Sequence, residues 1–398
     1  MTIKVDSSPH QADPAPPPPR RRASKTDRLR RTYGFDDVSL APGTRTVEPA
    51  DVDTSVQIAG LQLDIPVFAA SMDAVVDVRS AAELSRLGGV AVMNLEGVQA
   101  RYDDPAEVLR HIAGAPDEEI QEVLSAAYSA PIREDLVAQR IIDLHDAGSP
   151  AFVSATPASA RRWGPFCAEH GADAFLVQSQ VSSAQHLASG YEPLELDEFT
   201  RRMRIPVAVG NTTSYEAALQ LMEQGIAAIF VGVGPGAACT TREVLGIGVP
   251  QVSAIADVAA ARDDHFERTG LYVPVVGDGG MRRGGEMAKA IAAGADALML
   301  GSPLARADEA PGRGANWGMA APSPTLPRGT RISVGTVGSM EHVLFGPSRV
   351  TDGTENLVGA LRQSMAALGA ADIRAMQQVE MVFAPAVAGE GKSWQQGR

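Results

Sequence analysis

The sequence predicts one α/β domain built as a closed (β/α)8 barrel, the TIM barrel, in preference to an open doubly wound sheet. Eight short apolar runs alternate with stretches of helical spacing, and strands that are apolar on both faces are typical of parallel sheets covered by helices. The runs are IPVFAAS, GVAVMN, AFVSA, AFLVQS, PVAVGN, AIFVGVG, VPVVGDGG and ALMLGS, which begin at Ile65, Gly89, Ala151, Ala174, Pro206, Ala228, Val273 and Ala297.

A phrase that occurs three times supports the barrel. HGADAFLVQS, QGIAAIFVGV and AGADALMLGS each pass from a glycine that ends a helix, through small residues, into a strand. Such helix-to-strand joins recur in parallel sheets. In a barrel all eight strands end at one mouth, where such enzymes carry out their chemistry.

Two stretches depart from the alternation. Residues 98–146 are long and charged, with helical patterns, and predict a helical insertion on the flank after strand two. Residues 306–350 are rich in Gly, Pro and Ser and predict a long loop after strand eight, either disordered or a flap over the mouth. We expect the barrel to occupy residues 33–385, between a disordered Pro-rich basic tail (1–32) and a C-terminal tail (386–398).

Composition restricts the function. The chain has 398 residues, a formal net charge of −13 and two cysteines. It contains no apolar run long enough to cross a bilayer and no cleavable leader pattern, so we expect a cytoplasmic protein that does not contact a membrane. The acidic charge argues against nucleic acid as a partner, and two cysteines make a disulfide framework unexpected. The basic N-terminal tail is assigned no function.

Glycine-rich turns follow the last two strands. GDGG ends at Gly280, and Gly301 and Ser302 follow strand eight. In barrels the loops after strands seven and eight commonly cradle a phosphate, because backbone N–H groups can approach the anion closely. Asp278 would be repelled by that phosphate. It suits the hydroxyls of an attached ribose, with a helix cap as its alternative role. These turns predict a mononucleotide, which could also be flavin mononucleotide.

The stretch VGVGPGAACTTREVLG places Cys239 after strand six, among glycines, two threonines and Arg242. A thiolate attacks electrophilic carbon well, and local N–H donors with a nearby arginine would lower the pKa of the thiol. The alternative is a buried, inert cysteine. Cys167 fits that alternative, since it lies in a helical segment with no special neighbours, and we expect Cys239 to be a nucleophile.

GVGPGAACTTREVLGIGVPQVSAI, from Gly232, resembles the active-site cysteine loop of the IMP dehydrogenase and GMP reductase family. SMDAVVD, GNTT and GDGGMRRGGEMAKAIAAGADALMLGS resemble the purine, sugar and phosphate segments of that family, in the same order. The resemblance covers roughly residues 33–382. It implies a barrel, usually a homotetramer, that binds a purine 5′-monophosphate and bonds its cysteine to C2 of the ring.

The resemblance also implies roles for individual residues. Cys239 would be the nucleophile and Thr241 the hydroxyl that activates water or ammonia. The cysteine loop, at Gly234, Gly236 and Cys239, would hold a monovalent cation such as potassium, with Gly236 also beside the substrate. The remaining substrate contacts would come from Ser71, Met72 and Asn211 against the base, Asp278 against the ribose, and Gly280, Gly301 and Ser302 against the phosphate.

The two activities of the family run in opposite directions. The dehydrogenase oxidises IMP to XMP with NAD, and its mobile flap carries an Arg-Tyr pair that activates water. Here the last tyrosine is Tyr272, so Arg313, Arg328 and Arg331 in the expected flap have no tyrosine partner. The insertion after strand two is also too short for the regulatory CBS modules usual in dehydrogenases. Both absences favour the reductase, which converts GMP to IMP with NADPH and releases ammonia.

The reductase uses a glutamate after strand eight, and Glu309 lies near that position. The strand-four aspartate that faces the nicotinamide ribose in the family is replaced by Gln178, so the sequence assigns Gln178 and Ser179 to the cofactor. The family histidine after strand two is also absent. The chain therefore resembles a divergent IMP dehydrogenase-like branch without CBS modules. GMP reduction is favoured over IMP dehydrogenation, with a non-catalytic purine nucleotide sensor and a flavin-dependent barrel as further alternatives.

Overall fold

Eight parallel strands close into a barrel in the computed structural model, which describes residues 29–319 and 330–385. Each strand pairs with its neighbours in chain order, and the eighth pairs with the first. All eight predicted strands are confirmed. We number them β1 Val67–Ala69, β2 Val90–Asn94, β3 Phe152–Ala155, β4 Ala174–Gln178, β5 Val207–Thr212, β6 Ala228–Val231, β7 Val275–Asp278 and β8 Ala297–Leu300.

By its internal contacts the chain divides after Arg31. The first unit is described only at residues 29–31, which form neither helix nor strand. The second unit begins at Thr32 and holds the barrel. Most of the predicted N-terminal tail, residues 1–28, and the predicted C-terminal tail, residues 386–398, lie outside the described residues.

Helices surround the barrel, and each begins and ends for a local reason. Asp77 accepts the Ser80 N–H at 2.8 Å and so caps the helix after β1. The glycines of the repeated phrase, Gly171, Gly225 and Gly294, all have positive φ, which ends a helix without a Cβ clash. Outside the insertion after β2, the helices are Val78–Arg86, Pro157–Glu169, Leu196–Arg202, Tyr215–Met222, Thr241–Leu245, Gln251–Thr269, Gly284–Ala292, Ser302–Ala305, Met340–Phe345, Leu357–Ala367 and Ile373–Met376.

The predicted helical insertion after β2 is confirmed. It comprises a 3-10 turn at Val98–Ala100 and the helices Pro105–Gly114, Ile120–Ser129 and Glu134–Asp146. Asp104 caps the first helix by accepting the N–H groups of the two residues after Pro105. We call residues 98–146 the excursion.

Apolar side chains fill the barrel interior. Phe68 lies edge-on to Phe152 and Phe230, with ring centroids 6.0 and 5.7 Å apart. A hairpin of strands Val56–Ile58 and Leu61–Leu63 packs Ile58 and Leu63 into the same cluster. Because the interior is packed with side chains, a ligand must bind at the mouth.

The segment after β8 is less irregular than expected. Ala315–Trp317 pairs antiparallel with Arg331–Ser333, and residues 320–329 between them lie outside the described part. We call this strand pair the flap stem. A further antiparallel pair joins Val38–Leu40 to Met381–Phe383, and short 3-10 turns occupy Phe35–Asp37 and Pro49–Asp51.

Candidate active site

Four polar side chains at the ends of β1, β4, β5 and β7 form one hydrogen-bonded network at the barrel mouth. Ser71 Oγ donates to Gln178 Oε1 at 2.5 Å. The Gln178 amide donates to Asn211 Oδ1 at 3.1 Å and to Asp278 Oδ2 at 3.3 Å. Asn211 Nδ2 completes the set with a 2.7 Å bond to Asp278 Oδ2. The structure therefore brings together residues that the sequence separates by up to two hundred positions.

Asp278 is a carboxylate without a cationic donor in this network. Its side-chain donors among the described residues are the neutral amides of Asn211 and Gln178. Burial raises the pKa of Asp278 to about 6, and the two amide hydrogen bonds offset only part of that cost. An ionised Asp278 would thus gain from further donors such as sugar hydroxyls.

The cysteine loop lies directly beside this network. Cys239 Sγ is 3.1 Å from Thr241 Oγ1, and Gln180 Nε2 donates to the same hydroxyl at 3.3 Å. Cys239 is half-buried, whereas Thr241 is 2% exposed at the start of a short helix. A partly accessible thiol with a fixed hydroxyl beside it can bond to a ligand carbon while the hydroxyl orients a second reactant.

Backbone and side-chain contacts fix the loop against β7. Gln251 Nε2 donates to Val231 O at 2.8 Å and to Asp278 O at 3.1 Å, which ties β6 to β7 below the cysteine. Arg242 does not bond to the thiol. Its guanidinium donates to Val233 O at 3.4 Å and Val249 O at 2.9 Å and so braces both ends of the loop.

The two predicted phosphate turns are close to other site residues. Gly280 has φ +81°, and a Cβ there would lie 3.0 Å from Pro235 Cβ in the cysteine loop. At β8 a Cβ on Gly301 would lie 3.3 Å from Met72 Sδ. Only glycine allows these close approaches without displacing a neighbour.

Ser302, the hydroxyl of the second turn, accepts a hydrogen bond from Asn316 Nδ2 at 3.0 Å. Asn316 belongs to the flap stem and is 2% exposed. The flap stem therefore contacts the predicted phosphate position.

Three predicted residues are engaged elsewhere. Glu309 Oε2 accepts the Met340 N–H at 2.8 Å and lines, together with Arg313, a flank cavity of about 780 Å³ between the excursion and the segment after β8. Arg331 donates to three carbonyls at the end of the helix Pro105–Gly114. Arg328 lies outside the described residues.

The predicted cofactor residues are also engaged. Gln178 uses its amide within the mouth network, and Ser179 Oγ donates to Val181 O at 2.8 Å. Neither supplies the carboxylate that commonly binds a dinucleotide ribose. Their assignment to the cofactor stays a prediction that this arrangement does not favour.

Sequence reasoning missed several site neighbours, among them Gln180, Gln251 and Asn316. Gln180 follows a predicted strand end and Gln251 begins a helix, so both positions carried a signal. Asn316 carried none, because its contact to Ser302 depends on how the segment after β8 folds back.

Two searches restricted to residues 29–319 and 330–385 gave negative results. These residues contain no cluster of three or more His, Cys, Asp or Glu side chains arranged to hold a metal ion. None of the helices they form has the length and apolar character of a membrane span.

The fold and mouth define a (β/α)8-barrel enzyme with a cysteine beside a polar network. Residues 32–319 match the family model for the IMP dehydrogenase / GMP reductase domain. The chain belongs to this family and is an oxidoreductase of purine metabolism.

Named relatives support the same assignment. An uncharacterized oxidoreductase of Mycobacterium leprae is 40% identical over 362 residues, covering 89% of this chain and 96% of that protein. One of Mycobacterium tuberculosis is 41% identical over 359 residues, with 88% and 96% covered. Inosine-5′-monophosphate dehydrogenase of Methanocaldococcus jannaschii is 27% identical over 470 aligned positions, with 88% and 92% covered.

The crystal structure of an IMP dehydrogenase/GMP reductase-like protein from Corynebacterium glutamicum has the same fold. It matches with a TM-score of 0.84 at 35% identity and covers 89% of this chain and 95% of that chain. Between β2 and β3, where every residue is described, this protein has only the helical excursion. It thus fits a divergent branch without inserted CBS modules.

Proposed function

We propose that this protein oxidises or reduces C2 of a purine 5′-monophosphate through a covalent bond to Cys239. The observation that supports this most directly is the 3.1 Å contact of Cys239 Sγ with Thr241 Oγ1 beside the mouth network. A thiolate that adds to C2 makes hydride departure favourable, and it leaves an electrophilic carbon when the hydride has gone.

The substrate positions follow from the mouth. Asp278, an acceptor short of donors, would take the ribose hydroxyls. Ser302 and the glycine turns after β7 and β8 would take the phosphate, since bare backbone can approach an anion closely. Ser71, Met72 and Asn211 would then lie against the base, within reach of the thiol.

For the direction of the reaction we favour IMP dehydrogenation. Release of ammonia from GMP calls for an acid beside Thr241. The proposed acid Glu309 is bonded instead to the Met340 N–H, and the hydroxyl of Thr241 meets Gln180 and Cys239. The Methanocaldococcus jannaschii relative, at 27% identity, is also named as a dehydrogenase. On these two observations we place dehydrogenation ahead of the GMP reduction that the sequence favoured.

In the dehydrogenase reaction Cys239 adds to C2 of IMP and hydride leaves C2. Water then attacks C2 and gives up a proton to solvent, the C–S bond breaks, and XMP and the free thiolate result. NAD, when bound, accepts the hydride. Thr241 would orient the attacking water, and Gln180 would hold the Thr241 hydroxyl so that its oxygen faces the substrate.

GMP reduction with NADPH remains the second candidate. The observation that favours it is the absence of any tyrosine after Tyr272, which removes the family pair that activates water. In that reaction the amine leaves C2 as ammonia and hydride is added in its place.

A monovalent cation at the cysteine loop is part of the proposal. Backbone carbonyls of Gly234, Gly236 and Cys239 are hard oxygen donors of the kind such ions take. Gly236 O already accepts the Cys239 N–H at 3.1 Å and keeps one free lone pair. Potassium should therefore stiffen this loop, and replacing potassium with a larger organic cation should slow turnover.

Two parallel assays test the direction. Purified protein is mixed with IMP and NAD, and separately with GMP and NADPH, and absorbance of the reduced cofactor is followed with product analysis. We expect XMP to form in the first mixture. Formation of IMP and ammonia in the second, with a silent first, would select the reductase.

A covalent adduct tests the mechanism independently of direction. Mass spectrometry of protein quenched during turnover should find a purine nucleotide on Cys239. Tight nucleotide binding without any adduct or turnover would instead support the nucleotide sensor. A homotetramer is proposed from the family resemblance, and light scattering of the purified protein tests the assembly. The cytoplasmic location stays the prediction made from the sequence.

A further inference from the structure

Tyr128, on the excursion helix Ile120–Ser129, joins the flap stem to the loop after β1. The Trp317 indole N–H donates to the Tyr128 hydroxyl at 2.9 Å, and that hydroxyl donates to Asp73 Oδ2 at 2.8 Å. An indole nitrogen only donates, so the Tyr128 hydroxyl accepts from Trp317 and its own hydrogen points to Asp73, with Met319 Sδ at 3.3 Å as a second acceptor. Trp317 is fully buried, Asp73 is 1% exposed and Tyr128 is 6% exposed.

Asp73 lies in the loop after β1 that carries Ser71 and Met72. Its carboxylate also accepts the Val98 N–H at 2.9 Å, at the start of the excursion. The same loop accepts a further bond at Ala74 O, from the Gly312 N–H in the segment after β8, at 3.0 Å. Fixing Asp73 therefore fixes the residues proposed to hold the purine.

Trp317 lies in the first strand of the flap stem, directly after Asn316. Asn316 donates to Ser302, the proposed phosphate hydroxyl. On the second strand, Arg331 donates to the carbonyls of Ile112 and Ala115 at the end of the first excursion helix. Both strands of the stem are thus attached to the excursion.

We propose that Tyr128 is a positioning residue for nucleotide binding: its hydroxyl couples the flap stem to the loop after β1, so that Ser302 and Ser71 keep a fixed position relative to each other. The excursion is then the support on which the two ends of the substrate site are aligned. This inference rests on the proposed nucleotide site but not on the direction of the reaction. The active-site pair Cys239 and Thr241 is not contacted by this coupling.

The test is Tyr128→Phe, which removes one oxygen and keeps the ring. We expect KM and the calorimetric Kd for IMP to rise on the order of tenfold, because a buried bond to a carboxylate is lost, while kcat changes less than about twofold. A purely structural role would lower the folded fraction, and so kcat, with KM unchanged.

Tyr102→Phe is the matched control. Tyr102 is also on the excursion, and its hydroxyl donates to Ala127 O at 2.8 Å without reaching the flap stem. We expect this variant to bind IMP, and to turn over whichever nucleotide is the substrate, as the unaltered protein does. Equal KM values for Tyr128→Phe and Tyr102→Phe would overturn the proposal.

A double-mutant cycle checks that the hydrogen bond carries the effect. Trp317→Phe should raise the Kd for IMP only slightly further when Tyr128→Phe is already present. In the Tyr102→Phe background it should raise the Kd by its full effect. Additive effects in both pairs would contradict the coupling. If the unaltered protein bound neither IMP nor GMP in the calorimeter, the proposed function would fail. If it bound one of them and Tyr128→Phe bound that nucleotide equally well, the coupling alone would fail.

Discussion

The two ends of the barrel each carry a buried or half-buried aspartate in a polar network, and the two networks differ in their donors. Asp278, at the end of β7, meets the neutral amides of Asn211 and Gln178. Asp296, just before β8, is 3% exposed and fully surrounded. Its partners are Arg262, Arg374, Tyr272, Gln377 and the Val275 N–H.

The difference separates a binding site from a structural joint. Asp296 has its charge neutralised and its lone pairs used, as expected at the end of a barrel that maintains the fold. Burial raises the pKa of both carboxylates, but at Asp296 the charge of Arg262 opposes that rise, whereas Asp278 has only neutral amide donors. Asp278 thus keeps capacity for more donors, as expected at the end where ligands bind. Substitutions at one end at a time separate these two roles.

The largest effect is expected from Cys239→Ala, which removes the nucleophile. Turnover in whichever direction is active should fall on the order of a thousandfold or more, measured by steady-state kinetics. Cys167→Ala is the control, because burial raises the pKa of that thiol to about 12 and keeps it unreactive. Residual turnover near the normal rate in Cys239→Ala would exclude the covalent mechanism.

At the structural end, Asp296→Asn should lower the free energy of unfolding by about 3 kcal/mol, because it removes the buried anion of Arg262 and leaves it only the exposed Asp263. Urea denaturation measures this. Nucleotide affinity, taken well below the melting temperature, should be unchanged. A higher Kd for the nucleotide in the folded variant would show that the two ends are coupled.

At the mouth, Asp278→Asn should weaken nucleotide binding by about ten- to a hundredfold at pH 8, because hydroxyl donors lose a charged acceptor. Its melting temperature should not fall, since burial already disfavours the charge at this position. The opposite pattern, lost stability with intact affinity, would make Asp278 a second structural aspartate.

The smallest effect is a pH dependence. The pKa of Asp278 is raised from its ordinary value to about 6, so the unliganded protein loses stability from this group as the pH rises from about 4 to 6. A bound ribose favours the ionised form, so nucleotide affinity should be constant above about pH 7 and fall up to tenfold per unit below 6. The phosphate of the nucleotide also titrates, and it does so equally in the unaltered protein and in Asp278→Asn. The two proteins should therefore differ in the pH dependence of nucleotide affinity. Identical pH dependences would show that Asp278 is not responsible.

Much of the barrel was predictable. Each of the eight strands begins within two residues of its predicted start, because strands buried on both faces leave unbroken apolar runs. The position of Ser71, Gln178, Asn211 and Asp278 at strand ends was enough to bring them to one mouth, since all parallel strands end on the same side. Confirmation of the barrel therefore also confirmed that these residues are neighbours.

Contacts made by the segment after β8 were not predictable. Glu309 bonds to a helix N–H, Arg331 to helix carbonyls, and Asn316 to Ser302. The hairpin that packs into the barrel interior was also missed, because its strands are only three residues long. Irregular chain and very short strands lack the periodicity on which sequence reasoning depends.

The sequence by itself determined the fold class, the cysteine loop and the set of polar residues at the mouth, because these follow from repeated local patterns and from the direction of parallel strands. Only the tertiary structure decided how the charges are paired and how the segment after β8 is attached. Tyr128 and Trp317 are 189 positions apart, and their bond exists only because the excursion and the flap stem pack on the same side of the barrel. No local sequence pattern predicts this contact, since its free energy comes from burying groups that are far apart in the sequence.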